Sequence, residues 1–561
     1  MFRSNGNKFR NNLNKDIAPD EIFLDSSNIS GFNIEQFEGR LEKPIPKKAM
    51  IVLFFCFVFL ALVFSSKIWF IQIREGRTYL ERSENNRLQE NYLFSNRGVI
   101  YDRSGEELAY NVIHPFEKDF SKRKYSELSG LSHILGYIKY PAKDKDGFYW
   151  ETSFIGKDGV ENYYNDLLTG KNGREIIEIN ALGNISSQGL IERSEDGQNI
   201  YLSIDYKLQN KFFEIISNTA NEFKFQGGGG AIIDVETGEI LSLVSFPEYD
   251  SSILSDGEDN SAINKFVTSP YNPFLNRIIS GLYVPGSVIK PFLAAAALNE
   301  GLIDPHKKIL STGSISIPNP YFPDKPSVFT DWKAHGLVDM IDALAVSSNV
   351  YFYNIGGGFG DQKGLGIKKI ESYLRFFGFG DKAGIDLPGE VSGVIPNPEW
   401  KKETFQGDEW RLGDTYNVSI GQYGFQVTPI QILRGITALA NGGYLLKPTV
   451  LKDGKTQEAQ SISIKKSAID LVKEGMRQAV ERGTAGGLNV SYVKVAAKTG
   501  TAEIGKQFLN SWVAGFFPYE NPKYAFVVIM ERGPRYNSTG GVYVMRQLLD
   551  WMYWNTPQYL E

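Results

Sequence analysis

GAIIDVETGEILSLVSF (Gly230–Phe246) sets two apolar, β-branched runs around Glu236-Thr237-Gly238-Glu239, and so predicts a β-hairpin. A helix-like stretch, Tyr206–Phe223, and four glycines, Gly227–Gly230, lead into it. Far along the chain three more strand-like runs follow: YVKVAAKTGTAEI (Tyr492–Ile504), SWVAGFFPY (Ser511–Tyr519) and YAFVVIMERG (Tyr524–Gly533). Glu520-Asn521-Pro522-Lys523 forms a turn between the last two, and a closing helix runs from about Val542 to Trp554. Helical stretches fill the space between the two strand groups. Strands at both ends of a domain with helices between predict one antiparallel five-stranded sheet covered by helices, an α+β fold of α/β/α sandwich type.

Upstream of this domain the pattern changes. Ala49–Phe64 (AMIVLFFCFVFLALVF) carries no charge, and apolar character resumes at Ile68-Trp69-Phe70-Ile71. About 20 residues at 1.5 Å each reach roughly 30 Å, the thickness of a bilayer core. A cleaved signal peptide would not follow 48 residues of polar tail, and a buried globular helix would show a polar face. We therefore expect a cytoplasmic tail over residues 1–48, a transmembrane helix over 49–73, a mixed α/β region over 74–204 and the main domain over 205–561. Arg74–Asn96 is charged and periodic and is expected to continue the helix. GVENYYNDLLTG (Gly159–Gly170) is also expected to be helical. Charge does not settle orientation, because Lys43, Lys47 and Lys48 before the apolar run face Lys67, Arg74 and Arg77 after it.

Composition excludes some classes. The chain of 561 residues has a formal charge of -5, which speaks against nucleic-acid binding, since phosphates demand a basic face. Its one cysteine, Cys56, lies in the apolar run, so intrachain disulfides and Cys-based metal sites are out of reach.

The chemistry-bearing candidates are three short clusters. In Pro285-Gly286-Ser287-Val288-Ile289-Lys290 a turn precedes a helix ending near Gly301, with Pro291 in the first turn, where a missing N–H costs little. Ser287 then stands at a helix N-terminus with Lys290 one turn on. Ser-x-x-Lys alone is weak, and Ser121/Lys124, Ser463/Lys466 and Ser491/Lys494 repeat it. Lys498-Thr499-Gly500-Thr501, in a predicted strand, is rarer, on the order of one chance in a hundred for such a chain. It reads either as a turn or as an edge strand whose glycine lets a substrate backbone approach. Ser347-Ser348-Asn349 falls in a helical stretch beginning near Leu337. A serine hydroxyl needs a base, and Lys290 is the nearest candidate. Its pKa would have to fall from about 10.4 to near 7, about 4 kcal/mol, through burial and the like charge of Lys498.

Together Ser287-x-x-Lys290, Ser347-x-Asn349 and Lys498-Thr499-Gly500 match the three motifs of the penicillin-recognising serine enzymes. RGVIYDRSGEELA (Arg97–Ala109) resembles the pedestal motif of class B penicillin-binding proteins, and AIIDVETGEILSLVSFPEYD (Ala231–Asp250) the opening of their transpeptidase domain. Asp331-Trp332-Lys333-Ala334-His335-Gly336 and SSNVYFY (Ser347–Tyr353) look most like the elongation-specific penicillin-binding protein 2 group. The resemblance covers roughly residues 67–555.

It implies a pedestal over 74–204 and a transpeptidase domain over 205–561. It also implies a peptidoglycan D,D-transpeptidase reaction on stem peptides, covalent capture of β-lactams, and no cofactor. The anchor would lie in the bacterial cytoplasmic membrane with the catalytic domain outside. A SEDS-type glycan polymerase would be a partner in elongation. By the same resemblance Ser287 is the nucleophile, Lys290 the base, and Ser347 relays a proton while Asn349 holds the substrate amide. Thr499 and Thr501 bind the substrate carboxylate with help from Lys498, alongside Gly500, and the N–H groups of Ser287 and Thr501 form the oxyanion hole. A division-specific transpeptidase, a carboxypeptidase or β-lactamase-like hydrolase, and a scaffold that activates the polymerase remain open. Two departures stand out: a short stretch, Val112–Leu131, where relatives carry a larger head, and Gly421-Gln422-Tyr423-Gly424 in place of Gly-Gln-Gly. Some relatives bind zinc near the first two motifs. Here Asp331 and His335 remain without a cysteine, so no metal is assigned and His335 is expected to be structural.

Overall fold

The computed structural model describes residues 47–77, 88–145, 147–179, 185–319, 322, 324–453 and 459–561. Apart from Lys47 and Lys48, the tail expected over residues 1–48 lies outside the described residues. Lys47–Trp69 is α-helical and runs on through a π-helical turn, Phe70–Arg74, giving a helix of 28 residues. At 1.5 Å per residue it extends about 42 Å, long enough and apolar enough to anchor the chain in a membrane.

The helix expected over Arg74–Asn96 is not found where the chain is described again. Leu88–Leu93 is a strand, in a three-stranded sheet with Gly173–Ile179 and Ile185–Glu192. Tyr92 and Phe94 meet the Tyr149 ring edge-on, at 6.4 and 4.8 Å between centroids, so aromatic packing outweighs local helix preference.

A second sheet orders Ile200–Tyr201, Ile100–Tyr101, Glu107–Val112 and Lys122–Tyr125. It explains why RGVIYDRSGEELA reads as it does. Asp102 Oδ1 accepts the Ser104 and Glu106 N–H groups at 2.7 and 2.9 Å, which closes the hairpin turn. Arg97 is buried, and its Nε meets Glu161 Oε2 at 2.5 Å while Arg123 Nε meets Oε1 at 2.8 Å. Burial alone would raise the Glu161 pKa, but the Arg123 and Arg97 guanidiniums hold it below the usual carboxylate range. The expected Gly159–Gly170 helix is split into Gly159–Tyr163 and Asn165–Leu168. At the break, Tyr164 leaves helical geometry to donate its hydroxyl to Asp386 Oδ2 at 2.5 Å.

In the main domain α1 (Tyr206–Phe223) is N-capped by Asp205, which accepts the Lys207 and Leu208 N–H groups. The hairpin forms as predicted, β1 (Gly227–Asp234) with β2 (Ile240–Phe246). Next come α2 (Lys290–Asn299), α3 (Met340–Val346), α4 (Asn349–Gly357), α5 (Pro429–Ala440) and α6 (Lys466–Glu481). The chain then supplies β3 (Ala496–Ile504), β4 (Phe508–Phe517) and β5 (Tyr524–Pro534), and closes with α7 (Gly541–Asn555). The sheet order is β2-β1-β5-β4-β3, antiparallel throughout, so β3 is a terminal strand.

Alternation along the strands separates two apolar layers. Ala231, Ile233, Val527 and Ile529 face α2 and α5, while Ile232, Val528 and Met530 face α1 and α7. The three-layer sandwich is the one expected. Helix α2 lies deep within it: Phe292 through Ala297 are all buried, which is why that stretch shows no polar face.

The glycine quartet of β1 lets neighbours lie flat on the sheet. A Cβ on Gly230 would stand 2.1 Å from Phe212 Cζ of α1. Gly230→Ala should therefore lower the unfolding free energy by about 1–3 kcal/mol, read as a shift in the denaturation midpoint. An unchanged midpoint would mean that Phe212 swings aside freely.

Candidate active site

The Ser287 turn owes its shape to glycines on both sides. Gly286, at φ +57°, opens a 3₁₀ turn (Gly286–Ile289) that runs straight into α2. Its N–H donates to Gly421 O at 3.0 Å, which ties the turn to the Gly421-Gln422-Tyr423-Gly424 loop. From the sheet, β3 presses against the same turn. A Cβ on Gly500 would be 2.9 Å from Val288 Cγ1 and 3.0 Å from Pro285 O. The missing side chain of Gly500 thus admits the Ser287 turn, and β3 is a terminal strand of the sheet. Ser287, half-buried, lines a cleft of about 560 Å³ together with Ser347, Asn349, Thr499, Gly500 and Thr501.

Ser347-Ser348-Asn349 is not inside a helix as expected but at a break between two. Helix α3 ends at Val346, Ser347 turns left-handed at φ +60°, and Ser348 caps α4, its Oγ accepting the Tyr351 N–H. No glycine or proline announces the break, so local reading runs the helix through it. The turn aims Ser347 at both lysines. Lys498 Nζ donates to Ser347 Oγ at 2.9 Å, and Lys290 Nζ donates to Ser347 O at 2.9 Å, Ser347 Oγ at 3.3 Å and Asn349 Oδ1 at 2.7 Å. Those three are the Lys290 hydrogen bonds among the described residues; its ammonium addresses the Ser347–Asn349 cluster rather than Ser287.

Both lysines are fully buried. Burial brings the Lys290 pKa down to about 7, against an upward pull from Asp331. Lys498 is pushed far down by burial and then by the Lys290 charge. Desolvation is the first cause of the fall at both amines. Thr499 Oγ1 is held by Thr484 Oγ1 at 2.7 Å, whereas Thr501 is exposed on the open side of β3.

One residue that positions the cluster had been considered only as a leftover metal ligand. The Asp331 carboxylate, wholly buried, accepts Ser348 Oγ–H at 2.9 Å, Val350 N–H at 3.0 Å, Ser311 Oγ–H at 3.3 Å and Trp332 N–H at 2.9 Å. It fastens the C-terminal side of the Ser347 turn, Ser348 and Val350, to the strap before α3. Thr484 was missed as well, since a lone threonine in Arg482-Gly483-Thr484-Ala485 carries no motif. His335 Nε2 stands 3.6 Å from Asp331 Oδ1, but no third His, Cys, Asp or Glu joins them among the described residues. The residues present do not fit a tetrahedral zinc site, which takes four ligands.

Comparison with known proteins follows the same lines. Residues 228–550 match the penicillin binding protein transpeptidase domain, and residues 118–202 the penicillin-binding protein dimerisation domain. The peptidoglycan D,D-transpeptidase MrdA of Acinetobacter baumannii is 33% identical over 73% of this chain, a match that spans 63% of that relative's length. MrdA of Escherichia coli is 31% identical over 77% of this chain and 71% of the relative. Among solved structures, the complex between PBP2 and MreC from Helicobacter pylori superimposes with a TM-score of 0.70 at 27% identity, covering 83% of this chain and 99% of that one. With the transpeptidase-domain match spanning more than half its length and MrdA relatives above 30% identity, the chain belongs to the class B penicillin-binding proteins and is most similar to penicillin-binding protein 2.

Proposed function

We propose that this chain is a peptidoglycan D,D-transpeptidase that cross-links stem peptides through an acyl group on Ser287. The observation that carries the reading is the meeting of Ser287, Ser347 and Asn349 in one cleft beside the terminal strand β3, with buried Lys290 and Lys498 hydrogen-bonded to Ser347 behind them. In this reading a stem peptide ending in D-Ala–D-Ala lies along β3 as an added strand. Thr499, Gly500 and Thr501 line its path, and the hydroxyls of Thr499 and Thr501 take its terminal carboxylate. Ser287 Oγ attacks the penultimate carbonyl, and the N–H groups of Ser287 and Thr501 receive the oxyanion. Neutral Lys290 accepts the serine proton, Ser347 passes a proton to the departing D-alanine amine, and the C–N bond breaks. Asn349 holds the substrate amide, and Lys498 keeps the Ser347 hydroxyl oriented. A β-lactam enters the same path and remains on Ser287.

The remaining assignments extend the same reading. Residues 74–204 serve as pedestal and 205–561 as transpeptidase domain, with a single membrane pass at the N-terminal helix and the catalytic domain outside the bacterial cytoplasmic membrane. Cell elongation alongside a SEDS-type glycan polymerase is the proposed setting. The names of the MrdA relatives, and the PBP2 of the solved complex with MreC, support it.

Three outcomes test these roles. Ser287→Ala should abolish covalent labelling by fluorescent penicillin, and retained labelling at another serine would remove Ser287 from the role. With the Lys290 pKa near 7, the amine is charged and unable to act as a base below that pH and neutral above it. The penicillin acylation rate should therefore climb as pH rises through 7 and then level, while Lys290→Ala should lose about 10²–10⁴-fold of it. A flat profile from pH 5.5 to 8.5, about a thousandfold range of proton activity, would exclude Lys290 as the base. Asp331→Ala strands the Ser348 and Val350 donors and should cost about 1–3 kcal/mol of stability, with acylation slowed as the Ser347 turn loosens. Wild-type denaturation and labelling curves would show that Asp331 does not hold the turn.

A further inference from the structure

The Gly421-Gln422-Tyr423-Gly424 loop is tied to the Ser287 turn, and Tyr423 is where it departs from Gly-Gln-Gly. Tyr423 stands at φ +67°, in the left-handed region where glycine is at ease and a bulky residue is strained. Such a conformation persists only where the surroundings hold it. Phe405 stacks on the Tyr423 ring at 6.2 Å between centroids, and Trp400 and Trp410 meet it edge-on at 5.9 Å each. The Lys401 ammonium lies 5.8 Å from the ring centroid, and is itself buried and paired with Asp414 at 2.7 Å and Asp408 at 3.1 Å. Helix Pro398–Thr404, the bend after it and helix Leu412–Ser419 thus build a cage for a single ring. A Cβ on the next residue, Gly424, would stand 2.4 Å from Trp400 Cη2, so the cage also requires glycine there.

The other end of the loop bears on the nucleophile. A Cβ on Gly421 would stand 2.2 Å from Gly286 O and 2.7 Å from Gly286 N, so the two backbones touch without slack. Gly286 O and the Ser287 N–H belong to one planar peptide unit and point in opposite directions across it. Whatever fixes that carbonyl therefore fixes the tilt of the N–H. The Gly286 N–H, given to Gly421 O at 3.0 Å, fastens the preceding peptide of the same turn. Gln422, between Gly421 and the caged tyrosine, lines the Ser287 cleft.

We infer that Tyr423 is a positioning residue for acylation: its caged ring fixes the Gly421-Gln422 backbone, and through it the aim of the Ser287 N–H at the oxyanion. The inference rests on the reading of Ser287 as the acyl carrier. A donor of this kind stabilises the transition state only if it is already aimed when charge develops on the substrate oxygen. Glycine at position 423 would reach the same φ without strain, but it would leave the loop untethered. The tyrosine gives up backbone ease and gains an anchor. It acts through the backbone of its neighbours, two residues from the contact with Gly286.

The test follows penicillin acylation of the full chain in detergent micelles across penicillin concentrations, which separates the limiting rate constant from the half-saturating concentration. Tyr423→Ala keeps the strained backbone and removes the anchor. Its limiting rate constant should fall about tenfold or more, with half-saturation within about twofold of wild type, because an aimed oxyanion donor acts in the transition state alone. Tyr423→Phe, which keeps the ring, should retain the rate constant to within about twofold. Tyr423→Gly should be as slow as Tyr423→Ala; a return to the wild-type rate would show that the ring is not what matters. Phe405 is exposed and lies outside the Ser287 cleft, so Phe405→Leu opens the cage from its solvent side. It should slow acylation about threefold in the wild-type background and not at all in Tyr423→Ala. Should Tyr423→Ala fail to fold, Phe405→Leu decides by itself, and an unchanged rate constant overturns the inference. A rise in half-saturation as large as the fall in rate constant would also sink it, since a cleft loosened as a whole behaves that way. A wild-type chain that penicillin does not label at all would instead overturn the proposed function beneath it.

Discussion

Two lysine side chains, sealed from water, converge on a single hydroxyl: Lys290 and Lys498 both donate to Ser347 Oγ. Two ammonium ions cannot share so dry a place cheaply, because burial disfavours each charge and each charge disfavours the other. The fold must therefore hold them where they would not choose to be. Lys290 is carried on a helix buried on every side, and Lys498 on a strand locked between β4 and the Ser287 turn. The Ser347 left-handed turn is held in place by the buried Asp331 carboxylate, whose negative charge also offsets part of the cost of burying Lys290. A loose active site would let water in and return both amines to their ordinary cationic form.

Much of this was legible in the chain before any coordinates. The hairpin around Gly238, the three late strands and α1 announce themselves through alternation, turn residues and a capping aspartate, all of which act over a few residues. The three clusters could be singled out because residue identity, not geometry, carries their chemistry. What escaped depends on partners distant in sequence. Leu88–Leu93 becomes a strand because Tyr149 waits for Tyr92 and Phe94. The helix break at Ser347 is imposed by Asp331, which grips Ser348 and Val350 from 17 and 19 residues away. Gly500 looked like a ligand-facing glycine, and only the packing of Val288 and Pro285 reveals which side its absent side chain faces.

The mixed α/β region shows how a motif known by resemblance acquires a physical reason. Its first arginine, Arg97, is one of two guanidiniums neutralising a wholly buried Glu161, and it also donates to Thr169 Oγ1 at 2.6 Å and Glu161 O at 2.7 Å. Removing one member would strand a charge in the interior, so the group stands or falls as a unit. The same region reaches the main domain through Tyr164 on Asp386, a carboxylate that also accepts Thr449 Oγ1–H at 2.6 Å and Val450 N–H at 2.7 Å. These short polar ties add to a continuous apolar core in which Ile100, Leu108, Leu131 and Val160 join Ala231, Ile233 and Ile278.

A terminal strand with one edge free of a neighbouring strand is also an invitation to any other extended chain, including a second copy of the same protein. The far end of β3 carries Glu503, and the bend beyond it carries Lys506, both exposed. Charged residues at such a margin discourage sheet-to-sheet adhesion, because edge pairing would strip water from them. The strand can thus remain open to short peptides while resisting runaway self-assembly.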